Sequence, residues 1–385
     1  MLTVDTCYFE RQAMRDGNNT DRATIEIESG RGSPVVKILG STVVPSDLAA
    51  IRSSIGSDTS TTAYSEPYIE VSGCSIALSG SHDADYGFLF TATGEKWADA
   101  ELHIVNNTVD SSACDSGHGI TTGVKVEAVP SGAGNVQVRH YYFFIDDNVI
   151  KRCLGDGVWL LADEISATSD SHISIWDFER NHIRDCGTMA TMGAGIRLDR
   201  GSHVGGYMNV VIRNNDIVHN YLGVHRHGVG ESGQGAFTNN TIADNTGVAF
   251  YIEDNLNNVP SKVTNNIVFY NNSTGGGQQY GGTLSWQLSD IGFLDYNCWE
   301  DLYSPESCDP DDDPNGDHNI SAEPGFVDHD GGDYHITASS CVKNKGDNAP
   351  DSGESVGAFD IDHQDRIYRG DGELRVDIGA DEYQP

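Results

Sequence analysis

The chain has 385 residues, 58 acidic against 23 basic side chains, and a formal charge of −35. Duplex nucleic acid is excluded as a partner, because binding it takes a basic footprint and this surface would repel phosphate. No apolar run approaches the about 18 residues that a membrane-spanning helix needs.

The acids are 40 Asp and 18 Glu, and 44 residues are Gly. Asp, Gly and Asn favour turns over helices, so short strands joined by tight turns are expected. The acid excess also suits a saline habitat. From the first residues a pattern recurs: an apolar residue, two spacers, an anchor, one spacer, then a β-branched or apolar residue. The copies with an Asn anchor are Ile104..Asn107.Val109, Ile145..Asn148.Ile150, Phe178..Asn181.Ile183, Ile212..Asn215.Ile217, Phe237..Asn240.Ile242 and Val263..Asn266.Val268. Upstream, Cys7, Ser41 and Cys74 take the anchor's place. Intervals between anchors run from 25 to 41 residues, so the unit is about 25 residues with loops inserted in the longer copies. Five residues after the anchor stands a second ladder, Cys153, Cys186, Asn220, Asn245 and Asn271, and Gly followed by an apolar residue comes soon after. Each unit therefore holds about three short strands.

A period of this length, several short strands and a stacked turn Asn together predict a β-solenoid. Coils about 4.8 Å apart let each turn Asn bond its equivalents above and below while apolar side chains stack inside. These residues resemble the right-handed parallel β-helix family, known for pectate lyases, polygalacturonases, alginate-active enzymes and phage tailspikes. The resemblance implies an all-β, right-handed parallel β-helix of about nine or more coils over residues 1–284. It does not bring a catalytic signature with it: Gly117-His118-Gly119 precedes Asp146-Asp147, the reverse of the polygalacturonase order.

Residues 285–385 form an acidic C-terminal region without that period. From Asp295 onward it carries 24 acids and 5 bases. Segments such as Asp333-Tyr334-His335-Ile336 and Asp377-Ile378-Gly379-Ala380-Asp381 resemble the closing region of bacterial surface β-helix proteins. Its expected physical role is to cover the last coil, whose strand edge would otherwise be exposed. Asp311, Asp313, Asn315 and Asp317 have the alternation of a calcium loop, though the twelfth position is Ala322 and not the usual Glu. Calcium is the candidate cofactor, the alternative being a merely solvated acidic loop with no cofactor. Cys308 can pair with Cys298 or with Cys341, and Cys153 and Cys186 fall at one position of consecutive coils, within disulfide reach or as two buried thiols.

Candidate chemistry sits two and four residues before the anchors, where side chains should face outward. Asp146, Asp177, Glu179 and Arg213 stand there. Asp177 and Glu179 are about 7 Å apart along the strand, near the separation inverting glycosidases use. Arg213 would hold a uronate carboxylate, and His219 would serve as base or proton donor. Arg152, Arg184, His225 and Arg226 are expected to surround these groups and bind substrate. Residues 137–230 carry 11 acids and 9 bases, so an anionic chain is repelled least there. The reading is a monomeric extracellular or cell-surface protein that binds a polysaccharide and, in its stronger form, cleaves it as a lyase or hydrolase. The alternative is a non-catalytic adhesin or spacer.

Overall fold

The computed structural model describes residues 1–9, 23–29, 35–45, 48–56, 67–93, 99–128, 139–162, 172–200, 207–227, 235–253, 262–272, 280–282, 293–300, 308–309, 318–349, 355–366 and 375–383. Among these, successive coils pair in parallel into three sheets. The first has ten strands, from Leu2–Asp5 to Phe293–Asp295. The second has ten, from Tyr8–Phe9 to Cys298–Trp299, and the third has nine, from Ala23–Ser29 to Tyr280–Gly282. This is the expected right-handed parallel β-helix. Among the described residues no helix is long and apolar enough to cross a membrane.

The repeat explains the coil. The residue three before each anchor points inward, so Ile104, Ile145, Phe178, Ile212, Phe237 and Val263 are at most 1% exposed. The residue two after the anchor points inward from the second sheet, and Val109, Ile150, Ile183, Ile217, Ile242 and Val268 are fully buried. Between them the chain turns through one residue of positive φ, Asp147 at 59°, Arg180 at 54° and Asn214 at 56° for example. The anchor follows. Asn107, Asn148, Asn181, Asn215, Asn240, Asn266, Asn297 and Asn319 form one continuous ladder, each Nδ2 donating to the next Oδ1 at 2.9 to 3.1 Å. Each anchor's backbone N–H donates to the same oxygen, so a buried amide is satisfied on every side. The ladder runs past residue 284, so the last rungs lie within the stretch that composition assigns to the terminal region. The second ladder also forms, from Cys186 through Asn220 and Asn245 to Asn271.

Entry into the third sheet needs glycine. A Cβ on Gly157 would stand 2.5 Å from Ile183 Cγ2 and 2.7 Å from the Gly195 carbonyl. A Cβ on Gly195 would stand 2.6 Å from Ile217 Cγ2.

The C-terminal region does more than cover the last coil. Residues 318–349, 355–366 and 375–383 run back along the outer face of the second sheet, which for this reason carries apolar groups on both sides. Ile267 and Phe269 face outward and pack with Cys298, Ile320, Ile336, Val342 and Ile378, while Val218 and Ala243 pack with Tyr334. The positive-φ residues Asn214, Asn239 and Asn265 hold the returning chain: their Nδ2 groups donate to the carbonyls of Val356 and Phe359, of Asp377, and of Asp347. Arg366, 1% exposed, donates to the carbonyls of Ala380 and Gly379 and so organises the region internally. Cys308 pairs with Cys341; Cys298, Cys153 and Cys186 are buried free thiols.

Candidate functional site

Three outward faces carry the residues singled out above, because a coil turns three times within one repeat. On the first sheet Asp146, Glu179 and Arg213 stand in register on consecutive strands, with Asp177 two residues before Glu179. The structure brings these four together. Arg213 Nη2 donates to Asp177 Oδ2 at 3.0 Å and to Glu179 Oε2 at 3.2 Å, so one guanidinium joins both carboxylates. Glu179 also receives Arg180 at 2.6 Å and Asn214 Nδ2 at 3.2 Å, and it is 7% exposed. Part of its cover is the returning chain: a Cβ on Gly357 would lie 2.9 Å from Glu179 Oε1. Among the described residues Asp146 has no such charged partner; its Oδ1 accepts the Glu179 amide at 3.1 Å. Burial, with Asp177 and Glu179 adding to it, pushes Asp146 up to about 8, so it keeps its proton at neutral pH.

The other residues lie elsewhere. Arg152 is exposed in the turn after the second-sheet strand Val149–Lys151. Arg184, on the next second-sheet strand, donates to Asp216 Oδ2 at 3.2 Å. His219 takes positive φ after that sheet's following strand and its Nε2 lies 3.0 Å from the Tyr334 hydroxyl of the returning chain. His225 belongs to the third sheet, and Arg226 points the other way, toward the start of strand Gly235–Thr238. The expectation that these five surround the first-sheet acids therefore gives way to a distribution over several faces. Asp311, Asp313, Asn315 and Asp317 lie outside the described residues.

The third sheet carries a second constellation. Lys125, Trp159, Arg197, His225 and Tyr251 occupy one register position on five consecutive strands, a straight line along the solenoid. Cations flank the indole: Lys125 Nζ is 3.8 Å and Arg197 Cζ 4.8 Å from the Trp159 ring centre. Two residues on, Glu127, Leu161, Asp199 and His227 share the next outward register position, and Glu253 follows strand Phe250–Ile252. Trp159 Nε1 donates to Asp199 Oδ2 at 2.9 Å, and Arg197 Nε donates to both oxygens of that carboxylate. His225, 4% exposed, has Nε2 3.4 Å from Glu253 Oε2, and His227, 40% exposed, reaches the same oxygen at 3.6 Å. Burial first and Arg197 second hold His225 below the usual imidazole range. Burial pushes Asp156, which caps the Ala194 amide, up to about 6. Among these, sequence reasoning found His225 and missed Lys125, Trp159, Arg197, Asp199, Tyr251 and Glu253. A signal was available: in Gly123-Val124-Lys125, Gly157-Val158-Trp159, Gly195-Ile196-Arg197 and Gly223-Val224-His225 the third residue is the outward one.

The family model for the right handed beta helix region matches residues 57–289. No curated protein matches. Among solved structures, a crystal structure of pectate lyase Pel9A is similar over 96% of this chain and 98% of that one, with 14% identity and a TM-score of 0.32. A likeness that distant carries no argument about chemistry.

Proposed function

The chain belongs to the right handed β-helix family, and from that premise we propose that it binds a uronate-containing polysaccharide laid lengthwise along the third sheet's outward face. One observation carries the reading: the line Lys125, Trp159, Arg197, His225, Tyr251, in which an indole stands between two cationic groups and two further aromatic rings follow at the coil spacing. That spacing, about 4.8 Å, is comparable with one sugar unit, so successive units of a linear chain meet successive coils. Lys125 and Arg197 are each paired with a carboxylate, Glu127 at 2.5 Å and Asp199 at 3.0 Å, so this face presents nearly balanced charge to a uronate on a protein that elsewhere repels it, and the edges of Trp159 and Tyr251 meet the sugar rings. The first-sheet face fits a uronate less well, since Asp146, Asp147, Asp177 and Glu179 crowd four acids around Arg180 and Arg213. An extracellular or cell-surface location goes with this function, and the Cys308–Cys341 disulfide supports an oxidising compartment.

Cleavage by β-elimination is a second reading, favoured by His225. Burial lowers its imidazole pKa and encloses both ring nitrogens, so accepting a substrate proton would require its contact with Glu253 to open, with Arg197 at the neighbouring register position to meet a uronate carboxylate.

Affinity electrophoresis in gels containing polygalacturonate, alginate or a neutral arabinan tests binding. Retardation by a uronate polymer, lost in Trp159→Ala and Arg197→Gln, is expected; free migration in all three gels would favour the spacer reading. Ultraviolet absorbance from a new conjugated double bond tests elimination, and wild-type protein that binds without raising it is a binding module.

A further inference from the structure

Three segments of the C-terminal region converge beside the second sheet. Strand Asp333–Ile336 supplies Asp333 and His335, residues 355–366 supply Asp362, and residues 375–383 supply Asp381. Ligand-type atoms of His335, Asp362 and Asp381 all lie within 4.8 Å of one another. The imidazole is already oriented. Asp333 Oδ1 lies 2.5 Å from His335 Nδ1, and Asp362 Oδ2 lies 2.6 Å from Nε2. Carboxylates only accept, so both ring nitrogens donate, Nε2 to Asp362 and Nδ1 to Asp333; an ion would take the place of the Nε2 proton while Asp333 keeps the ring oriented, as the partners of metal-ligating histidines do. Asp381 is positioned by its Oδ2, which accepts the Ile336 amide at 3.0 Å.

A second observation lies against this cluster. A cavity of about 160 Å³ opens beside it, lined by His335, Asp333 and Asp381 on one side and by His182, Arg184 and Asp216 on the other. Asp216 is 6% exposed and its Oδ1 has no hydrogen-bond partner. Its Oδ2 takes up the charge of Arg184 at 3.2 Å, so the guanidinium is not a free repelling charge at the cavity. The space is large enough for waters that would complete a coordination sphere.

We propose that His335, Asp362 and Asp381 bind a divalent cation of the zinc class, with Asp333 positioning the imidazole. The donor set decides the class. One imidazole nitrogen with two carboxylates suits zinc, manganese or cobalt, whereas calcium takes six to eight oxygens. Seating the ion needs Nε2 and Asp362 Oδ2 to part, since ligands about 2.0 to 2.1 Å from a tetrahedral centre stand farther from each other than a hydrogen bond allows. The ion would tie together three segments of the returning chain, which close over the second sheet, and ion binding to the folded form alone raises stability.

The test uses the full chain, freed of metal with a chelator and dialysed separately against zinc, cobalt and calcium. One equivalent of zinc is expected, with a raised melting temperature, and cobalt should give the visible absorption of a nitrogen- and oxygen-ligated ion. Calcium should give neither. His335→Ala and Asp362→Asn should each lower zinc affinity at least tenfold. Circular dichroism identifies a variant that does not fold, and the cobalt spectrum of wild-type protein then decides by itself. No retained zinc and no cobalt band in wild-type protein, zinc affinity unchanged in folded variants, or an equal effect of calcium would each overturn the assignment.

Discussion

The second and third sheets are cut from the same coils and share one interior, yet their outward faces have opposite characters. In its later coils the second sheet presents Val218, Ala243, Ile267 and Phe269 outward, buried under the described parts of 318–383, with His182, Arg184 and Asp216 outward beside them. The third presents Lys125, Trp159, Arg197, His225 and Tyr251, with Arg197 still 27% exposed. The inward residue of every strand is dictated by the core; the outward residue is dictated by what meets that face. A solenoid thus separates fold from function position by position, and each face should respond to substitution independently of the other while the interior ladder affects both.

The largest effect should come from the shared interior. Asn181→Ala removes the acceptor of both the Asn148 amide and the Asn148 side chain, and leaves Asn215 Oδ1 and the carbonyls of Ile145 and Glu179 short of a donor. At the cost of several unsatisfied buried groups, a loss of about 3 to 5 kcal/mol is expected in urea unfolding. A loss below about 1 kcal/mol would mean that the ladder follows from the coil without holding it.

The second sheet's cover comes next. Ile378→Ala empties a fully buried position between Ile267 and the returning chain and should cost about 2 to 4 kcal/mol. Hydrogen exchange should accelerate in 318–383 and in the second-sheet strands beneath, with third-sheet amides unchanged. Equal acceleration on both sheets would break the separation drawn above.

On the third sheet, Trp159→Ala should change stability by only about 1 kcal/mol, since the indole is half buried on an outer face. It should nevertheless abolish retardation by polygalacturonate. Retained binding would move the ligand to another face.

The sequence was most legible where a residue answers to the coil alone. Anchors and their inward neighbours repeat because each meets the same environment in every coil, and Leu294..Asn297.Trp299 keeps the same spacing past the apparent end of the repeat. The returning chain was not legible, because the hydrogen bonds by which Asn214, Asn239 and Asn265 hold it span 82 to 145 residues without any local period, as in Asn265 to Asp347 and Asn214 to Phe359. One trace was there: Asn214-Asn215, Asn239-Asn240 and Asn265-Asn266 are doublets whose first member donates to that chain. Of the candidate residues, Asp146, Asp177, Glu179 and Arg213 were correctly grouped, since position relative to the anchor fixes their face. His219 and Arg184 were not, because lying close in sequence within a coil places residues on different sheets.

The smallest effect separates a buried acid from an ion-paired one on the first sheet. Asp146 sits near Asp147, Asp177, Glu179 and Arg180, with Arg213 bound to Asp177 and Glu179. Its folded pKa of about 8 lies above the about 3.9 of an unfolded Asp. The folded state therefore holds a proton that the unfolded state has lost between these values. The stability linked to that proton is fully present below about pH 4 and declines as pH rises toward 8. Asp146→Asn keeps an oxygen for the Glu179 amide and carries no charge at any pH. The variant should match wild-type melting temperature near pH 4 and exceed it progressively toward pH 9, by a few degrees at most given the partial exposure of the site. Parallel curves for the two proteins would show that Asp146 is ionised in the folded state, with Arg180 and Arg213 outweighing burial.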